Sequence, residues 1–226
     1  MVKVVGIIQA RISSSRLPAK AMLNIEGKTL LERVIERVQL STKLDEIYIA
    51  TSKNKEDDLI EDIAKKYHIK CYRGSLNNVF DRFAQVISIS NADIVVRITA
   101  DNPLTEPKMI DYGVSYLRKN KLDYLSFKNI PVGSGVEVFT SESFKKIQNQ
   151  DNLNSHNIEH VTSYYYQNPH LFSIKYIEDF YNKNLSTLSV TVDTLEDYIK
   201  IYNIFKKFDV DISELLDSYI EYELNK

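Results

Sequence analysis

VVGIIQARISSSRLPAKAML, residues 4–23, decides how the rest of the chain is read. Val4, Val5, Ile7 and Ile8 form the short β-branched run of a strand covered on both faces. The run then breaks into a polar, basic stretch that has no helical period. Arg11, Arg16 and Lys20 bring three cations together there, beside Ser13, Ser14 and Ser15, whose hydroxyls and backbone N–H groups can donate to anionic oxygens. A buried strand emptying into such a loop suits a polyphosphate, and a solvated basic turn is the competing reading. Pro18 stiffens the loop just before Lys20. Neither GxxxxGK[ST] nor GxGxxG is present, so phosphate would be held by side chains and by whatever backbone nest the serines form.

Beyond the loop, helix and strand signals alternate. Thr29-x-x-Glu32 reads as a capping box opening a helix whose buried stripe is Leu30, Leu31, Val34, Ile35 and Val38. Residues 46–51 are a β-rich run, and Leu59, Ile60, Ile63, Ala64 and Tyr67 are spaced for a second amphipathic helix. Strand and helix repeat through 69–72 and 79–89, and 93–99 make a fourth strand. The βαβαβαβ order predicts a three-layer α/β/α domain on a mostly parallel, Rossmann-like sheet, with ligands at the carboxyl ends of its strands. The opening loop and Thr99-Ala100-Asp101-Asn102-Pro103-Leu104 both lie at such ends, which makes them candidates for one cleft.

From residue 122 the rhythm changes. Strand signals at 122–127 and 135–139 flank the turn-rich Asn129-Ile130-Pro131-Val132-Gly133-Ser134, and a helix is expected to carry Glu159-His160-Val161-Thr162 and Tyr164-Tyr165-Tyr166. The tyrosines suit either an interface or a local core. Residues 189–194 read as a returning strand, and 195–208 and 213–224 as closing helices. The chain is thus expected to form a single domain, 1–226, in which residues 129–186 leave the main sheet as an excursion.

Composition narrows the classes. A chain of 226 residues with 43% hydrophobic and 27% charged residues suits an ordinary globular domain. Its net charge of -2 and pI of about 6.1 argue against a nucleic-acid or anionic-membrane partner, which would need a basic field. No apolar segment reaches the roughly 20 residues of a membrane span, and no signal peptide is legible, so a cytoplasmic location is expected. The single cysteine, Cys71, excludes an internal disulfide and reads as a structural thiol.

Two carboxylates stand at strand ends far apart in sequence, Asp101 after Ile98 and Asp193 after Val192. Mg²⁺ takes one or two carboxylates together with phosphate oxygens, so such a pair beside a polyphosphate loop is a plausible magnesium site. Asp101 could instead be a turn residue, and Asp193 or Thr194 a helix cap. Glu137 lies inside a β run, where burial would demand a partner or a ligand hydroxyl. His160 could be a base or a hydrogen-bonder, or a structural helix residue.

Ala10-Arg11-x-x-Ser14-x-Arg16-Leu17-Pro18-x-Lys20 resembles the N-terminal signature of the sugar cytidylyltransferases, the CMP-Kdo and CMP-sialic acid synthetases and the spore coat polysaccharide biosynthesis protein F type. Ala19 stands where that family usually has Gly. Arg97-Ile98-Thr99-Ala100-Asp101-Asn102-Pro103-Leu104 is similar to the family's R-x-x-G-D-x-P-L, with Ala100 in place of a usual Gly, and Thr191-Val192-Asp193-Thr194-x-Glu196-Asp197 to its closing T-V-D-T-x-E-D. Tyr72-Arg73-Gly74-Ser75 with Val79-x-x-Arg82, residues 135–139 and residues 159–162 are similar to the spore coat type. The resemblance implies attack by an acid sugar or sugar phosphate on the α-phosphorus of CTP, in surface polysaccharide precursor synthesis. It implies that Arg11, Arg16 and Lys20 hold the triphosphate together with Ala10 and Ser14, and that Asp101 and Asp193 carry Mg²⁺. Arg73 and Arg82 would line the nucleotide side or serve as structural ion pairs; Glu137 and His160 would face the acceptor. A homodimer through residues 129–186 is implied as well. A nucleotidyltransferase using GTP or another nucleotide, and a binding module without turnover, are the alternatives.

Overall fold

The computed structural model describes residues 2–151 and 153–226 and sets β1 at Val4–Gln9, with Val4, Val5, Ile7 and Ile8 all buried. The basic loop leads through a 3₁₀ turn at Lys20–Met22 into a small hairpin, β2 (Asn24–Ile25) and β3 (Lys28–Thr29), and then α1 (Leu30–Val38). The capping box forms: the Thr29 hydroxyl accepts the Glu32 N–H at 3.2 Å, and Glu32 accepts the Thr29 N–H at 2.6 Å. The expected alternation continues through β4 (Glu46–Ser52), α2 (Asp58–Lys66), β5 (Lys70–Gly74), α3 (Val79–Ser90) and β6 (Ile94–Thr99). Next come α4 (Pro107–Asn120), β7 (Tyr124–Phe127), β8 (Glu137–Thr140), α5 (Ser141–Gln148), α6 (Ser155–Glu159), α7 (Ser163–Gln167), β9 (Ile174–Ile177), α8 (Leu195–Lys207) and α9 (Leu215–Leu224).

Seven strands form one sheet in the order β5-β4-β1-β6-β8-β7-β9. All neighbours pair in parallel except β8, which runs against both β6 and β7. Strand residues alternate between two cores. Val4, Ile8, Ile94, Val96 and Ile98 join side chains of α1, α2, α4, α8 and α9, whereas Val5, Ile7 and Val95 join those of α3, α5 and α7. This is the expected three-layer α/β/α arrangement. The chain leaves β1 for β4 on one side, while β6 lies on the other, so the crossovers diverge at the carboxyl ends of β1 and β6, where open α/β sheets bind ligands. Gln9 and Thr99 are direct register partners at that point.

Three sequence expectations change. Residues 129–186 do not leave the main sheet as an excursion, because β8 inserts beside β6 and β9 closes the far edge. Residues 189–194 form no strand: Val190 and Val192 are buried and extended, but their N–H groups bond to the carbonyls of Val132 and Asp101, in loops rather than in a strand. The helix around residues 159–166 is broken, with α6 ending before His160 and α7 starting at Ser163. Tyr164 and Tyr165 fill the core behind it, and only Tyr166 of the three tyrosines is exposed. Among the described residues, no helix is long and apolar enough to cross a membrane. Cys71 is half-buried, and burial pushes its thiol up to about 11, as suits a structural cysteine.

Candidate active site

The basic loop is closed at its neck. Ala10 N–H bonds the carbonyl of Ala50 at 3.2 Å, Ile12 N–H bonds the Asp57 carboxylate at 2.8 Å, and the Ile12 carbonyl accepts the Ala19 N–H at 3.1 Å. Turning the chain from this neck into the Lys20–Met22 turn places Ala19 at φ 55°, ψ 24°, in the left-handed region that L residues with a Cβ resist. The turn lifts Lys20 across the mouth of the sheet.

There Lys20 Nζ donates to Asp101 at 2.9 Å, to Asp193 at 2.8 Å and to the Val192 carbonyl at 2.9 Å, and Arg16 reaches the same Asp193 oxygen at 2.8 Å. The two aspartates, distant in sequence, therefore converge on one point. Asp193 carries no capping duty, because Thr194 caps α8 with Asp197 reciprocating. The Val192 N–H bonds the Asp101 carbonyl at 2.9 Å, which ties the two acidic segments together. Gly133 lets the second segment lie this close: at φ 91°, a Cβ there would stand 2.6 Å from the Thr191 nitrogen.

The donor set fits a hard divalent cation. The Lys20 ammonium already occupies a cation's place between two carboxylates, and among the described residues no cluster of three metal-binding side chains exists. Two carboxylates with room for phosphate oxygens and water are what magnesium takes, whereas a dedicated protein cage would need more.

Behind these groups lies a cavity of about 290 Å³ lined by Ala10, Arg11, Ser13–Arg16, Lys20, Val79, Arg82, Arg97, Asp101, Glu159 and His160 among others. Arg82 is only 2% exposed; it donates to the carbonyls of Ser75 and Leu76, and its Nε finds no partner. Among the described residues no carboxylate stands within ion-pair distance of it, and burial, then the nearby Arg11, hold its pKa below the ordinary arginine range. A buried guanidinium left unpaired is costly without a ligand to accept from it. Arg73 has a different setting. It reaches Asp58, Glu61 at 2.9 Å and the carbonyls of Ser52 and Asn54, and so braces β5 against the turn after β4, outside the cavity lining.

Arg11 pairs with Glu159 at 2.9 Å across the cavity wall. His160 follows at the end of α6, its ring 4.4 Å from that of His156. Burial, and next His156, lower the His160 pKa below the ordinary value, so its imidazole is neutral at neutral pH. Glu137 has found protein partners: Thr162 at 2.8 Å, the Tyr124 hydroxyl and the Arg97 guanidinium. It lines a second cavity of about 480 Å³, with Asn102, Ser126, Lys128, Asn129, Gly135 and Ser186 among others, and Arg97 and Thr99 are shared by the two cavities. Lys128, which pairs with Glu178 at 3.2 Å, is the only cation of that second lining besides Arg97. Sequence reasoning gave no role to Arg97, Glu159, Thr162, Tyr124 or Asp57. Only the buried-charge argument applied to Glu137 could have pointed to some of them.

Comparison with known proteins agrees with this geometry. A family model described as cytidylyltransferase matches residues 5–226. The chain is 32% identical over 218 residues to the spore coat polysaccharide biosynthesis protein SpsF of Bacillus subtilis, spanning 93% of this chain and 91% of that protein. It is 39% identical over 218 residues to the uncharacterized protein MJ1063 of Methanocaldococcus jannaschii, spanning 95% and 89%. Among solved structures, a cytidylyltransferase from Leptospira borgpetersenii superposes with a TM-score of 0.90 at 28% identity, covering 99% of this chain and 96% of that one.

Proposed function

The chain belongs to the cytidylyltransferase family and is a nucleotidyltransferase, and on that premise we propose that it transfers CMP from CTP to a small acidic sugar or sugar phosphate, with Mg²⁺ as cofactor and pyrophosphate as leaving group. The observation that carries the reading is the convergence of Lys20 and Arg16 on Asp101 and Asp193 at the carboxyl ends of β1 and β6. Cations for a polyphosphate and carboxylates for a divalent ion share one point, as transfer of a nucleotidyl group requires.

In this reading Ala10, Arg11, Ser14, Arg16 and Lys20 hold the triphosphate, and Arg82 closes the nucleotide side with its unpaired donor. Asp101 and Asp193 would hold the magnesium ion, which when bound draws charge from the phosphate oxygens. A phosphate oxygen of the acceptor, or a sugar hydroxyl that gives its proton to solvent or to the neutral His160, attacks the α-phosphorus; the new O–P bond forms as the bond from the α-phosphorus to the oxygen bridging to the β-phosphate breaks, and pyrophosphate leaves. Arg11, Arg16 and Lys20 neutralise the charge gathering on the departing pyrophosphate. The acceptor enters from the larger cavity, next to Glu137, and reaches the nucleotide past Arg97, which lines both cavities, with the neutral His160 on the wall of the smaller one. Because Glu137 is already engaged by three protein groups, it orients Arg97 rather than serving as a free base. Positioning supplies the acceleration.

The same reading carries a cytoplasmic homodimer formed through residues 129–186, where Val132, Tyr166 and Leu171 are exposed apolar side chains. Light scattering tests it, and a monomer would remove the dimer from the proposal. The decisive experiment is a screen of acid sugars and sugar phosphates with CTP, read by pyrophosphate release, alongside Asp101→Ala. Release with at least one acceptor and its loss in the variant is expected. Release untouched by Asp101→Ala refutes the metal assignment, and a preference for GTP or ATP refutes the nucleotide.

A further inference from the structure

Asp57 belongs to no motif quoted above, yet its carboxylate is among the most buried acidic groups of the chain, 1% exposed on the 3₁₀ turn that follows β4. No cation pairs with it among the described residues. Its charge is met by donors from two places. One oxygen accepts the Ile12 N–H at 2.8 Å; the other accepts the Ser52 N–H at 3.1 Å and the Ser52 hydroxyl.

The Ser52 bonds are local and need no function, since they close the turn between β4 and α2. The Ile12 bond spans 45 residues and lands on the neck of the basic loop. Ile12 follows Arg11 directly, and its carbonyl receives the Ala19 N–H, so the peptide groups on both sides of Ile12 are fixed, one by Asp57 and one by the loop's own return. Without the Asp57 bond the backbone N–H groups of the loop's entry would be tied to the rest of the sheet through Ala10 and the carbonyl of Ala50, with the Arg11–Glu159 pair and the loop's own return from Ala19 as the other holds. A buried carboxylate is an expensive way to close a turn that a serine could close. It is an effective way to fix a loop that must present cations to an anion, because it is rigid and it aligns a backbone N–H dipole.

We propose that Asp57 is a positioning residue for the triphosphate loop, holding Ile12 so that Arg11, Arg16 and Lys20 meet the phosphates in one fixed arrangement. This rests on the nucleotidyl-transfer reading of the cleft.

The test compares Asp57→Asn, Asp57→Ala and Ser52→Ala by thermal melting, CTP titration calorimetry and amide hydrogen exchange of the peptide containing Ile12 and Ala19. In Asp57→Asn the amide oxygen settles on Ser52, which offers it two donors at the end of a buried strand, and the NH₂ group faces the Ile12 N–H. That loses the loop bond and keeps the turn. Asp57→Ala loses both, and Ser52→Ala keeps Ile12 held. CTP affinity is expected to fall by about tenfold or more in each soluble Asp57 variant and to stay within about twofold of the parent in Ser52→Ala, whatever the change in melting temperature. Exchange at Ile12 and Ala19 should rise in the same variants only. A folded Asp57 variant that keeps the parent's CTP affinity and loop protection overturns the proposal. If Asp57→Ala fails to fold, Asp57→Asn decides alone. If the parent itself binds no CTP, the nucleotide reading fails, and the exchange data still decide whether Asp57 holds the loop.

Discussion

Replacing Ala19 by Gly should stabilise the protein, against the ordinary expectation for Ala→Gly. The residue sits at φ 55°, ψ 24°, and it cannot relax, because its N–H is held by Ile12 and its carbonyl by Met22. A left-handed conformation costs an L residue about 1–2 kcal/mol, which Gly does not incur. Against that gain, Gly adds about 0.4–1 kcal/mol of conformational freedom to the unfolded chain. Losing a half-buried methyl costs up to about 0.4 kcal/mol more. The balance is a gain of about 0.5 kcal/mol, or a rise in Tm of about 1–2 °C for a chain of this size. Ala19→Val provides the control, since a β-branched side chain is the worst fit to this backbone, and Tm should fall. Differential scanning fluorimetry resolves both. If Ala19→Gly melts lower than the parent, or Ala19→Val melts at the parent's temperature, the strain assigned to the loop is not there.

Lys20→Met should separate the two tasks of the site. Removing the ammonium from between Asp101 and Asp193 is expected to strengthen Mg²⁺ binding in the absence of nucleotide, measured by calorimetry, while weakening CTP binding; weaker Mg²⁺ binding would contradict the view of Lys20 as a stand-in cation. His160 should titrate below the ordinary value of about 6.5 in an NMR titration of its imidazole, and His156→Ala should move the midpoint upward, because one of two facing imidazoles is gone. A midpoint unchanged by that substitution would remove His156 from the causes and leave burial and Arg97.

The first half of the fold was legible because its signals are local. The β-branched run of β1, the Thr29–Glu32 capping box and the stripe from Leu30 to Val38 each describe their own element, and the βαβ order then determines the sheet. After residue 120 the chain reverses one strand, and nothing in Glu137-Val138-Phe139-Thr140 distinguishes an antiparallel insertion from an excursion; the register against Arg97 and Val96 is a tertiary fact. Thr191-Val192-Asp193 misleads for a related reason. Its alternation is that of an extended segment, but its hydrogen bonds go to loops. Within the site, the residues that bear charge into the cleft could be read from spacing and resemblance. Those that hold them, Asp57 above all, could not, since a buried carboxylate and an exposed one look alike in Lys55-Glu56-Asp57-Asp58.

The bridge from Lys20 to Asp193 joins positions 173 apart in the chain. A ribosome that has released the basic loop must still make most of the protein before the second carboxylate emerges. Until then Lys20 lacks one of its two carboxylate partners, and Arg16 lacks the carboxylate that it meets. Whatever a half-made chain binds through those cations, it cannot assemble the paired carboxylates, so their charge arrives as a single late event in synthesis rather than by degrees. Contacts of such long sequence separation form slowly. The pair of carboxylates around Lys20 therefore exists only once residue 193 has joined the fold.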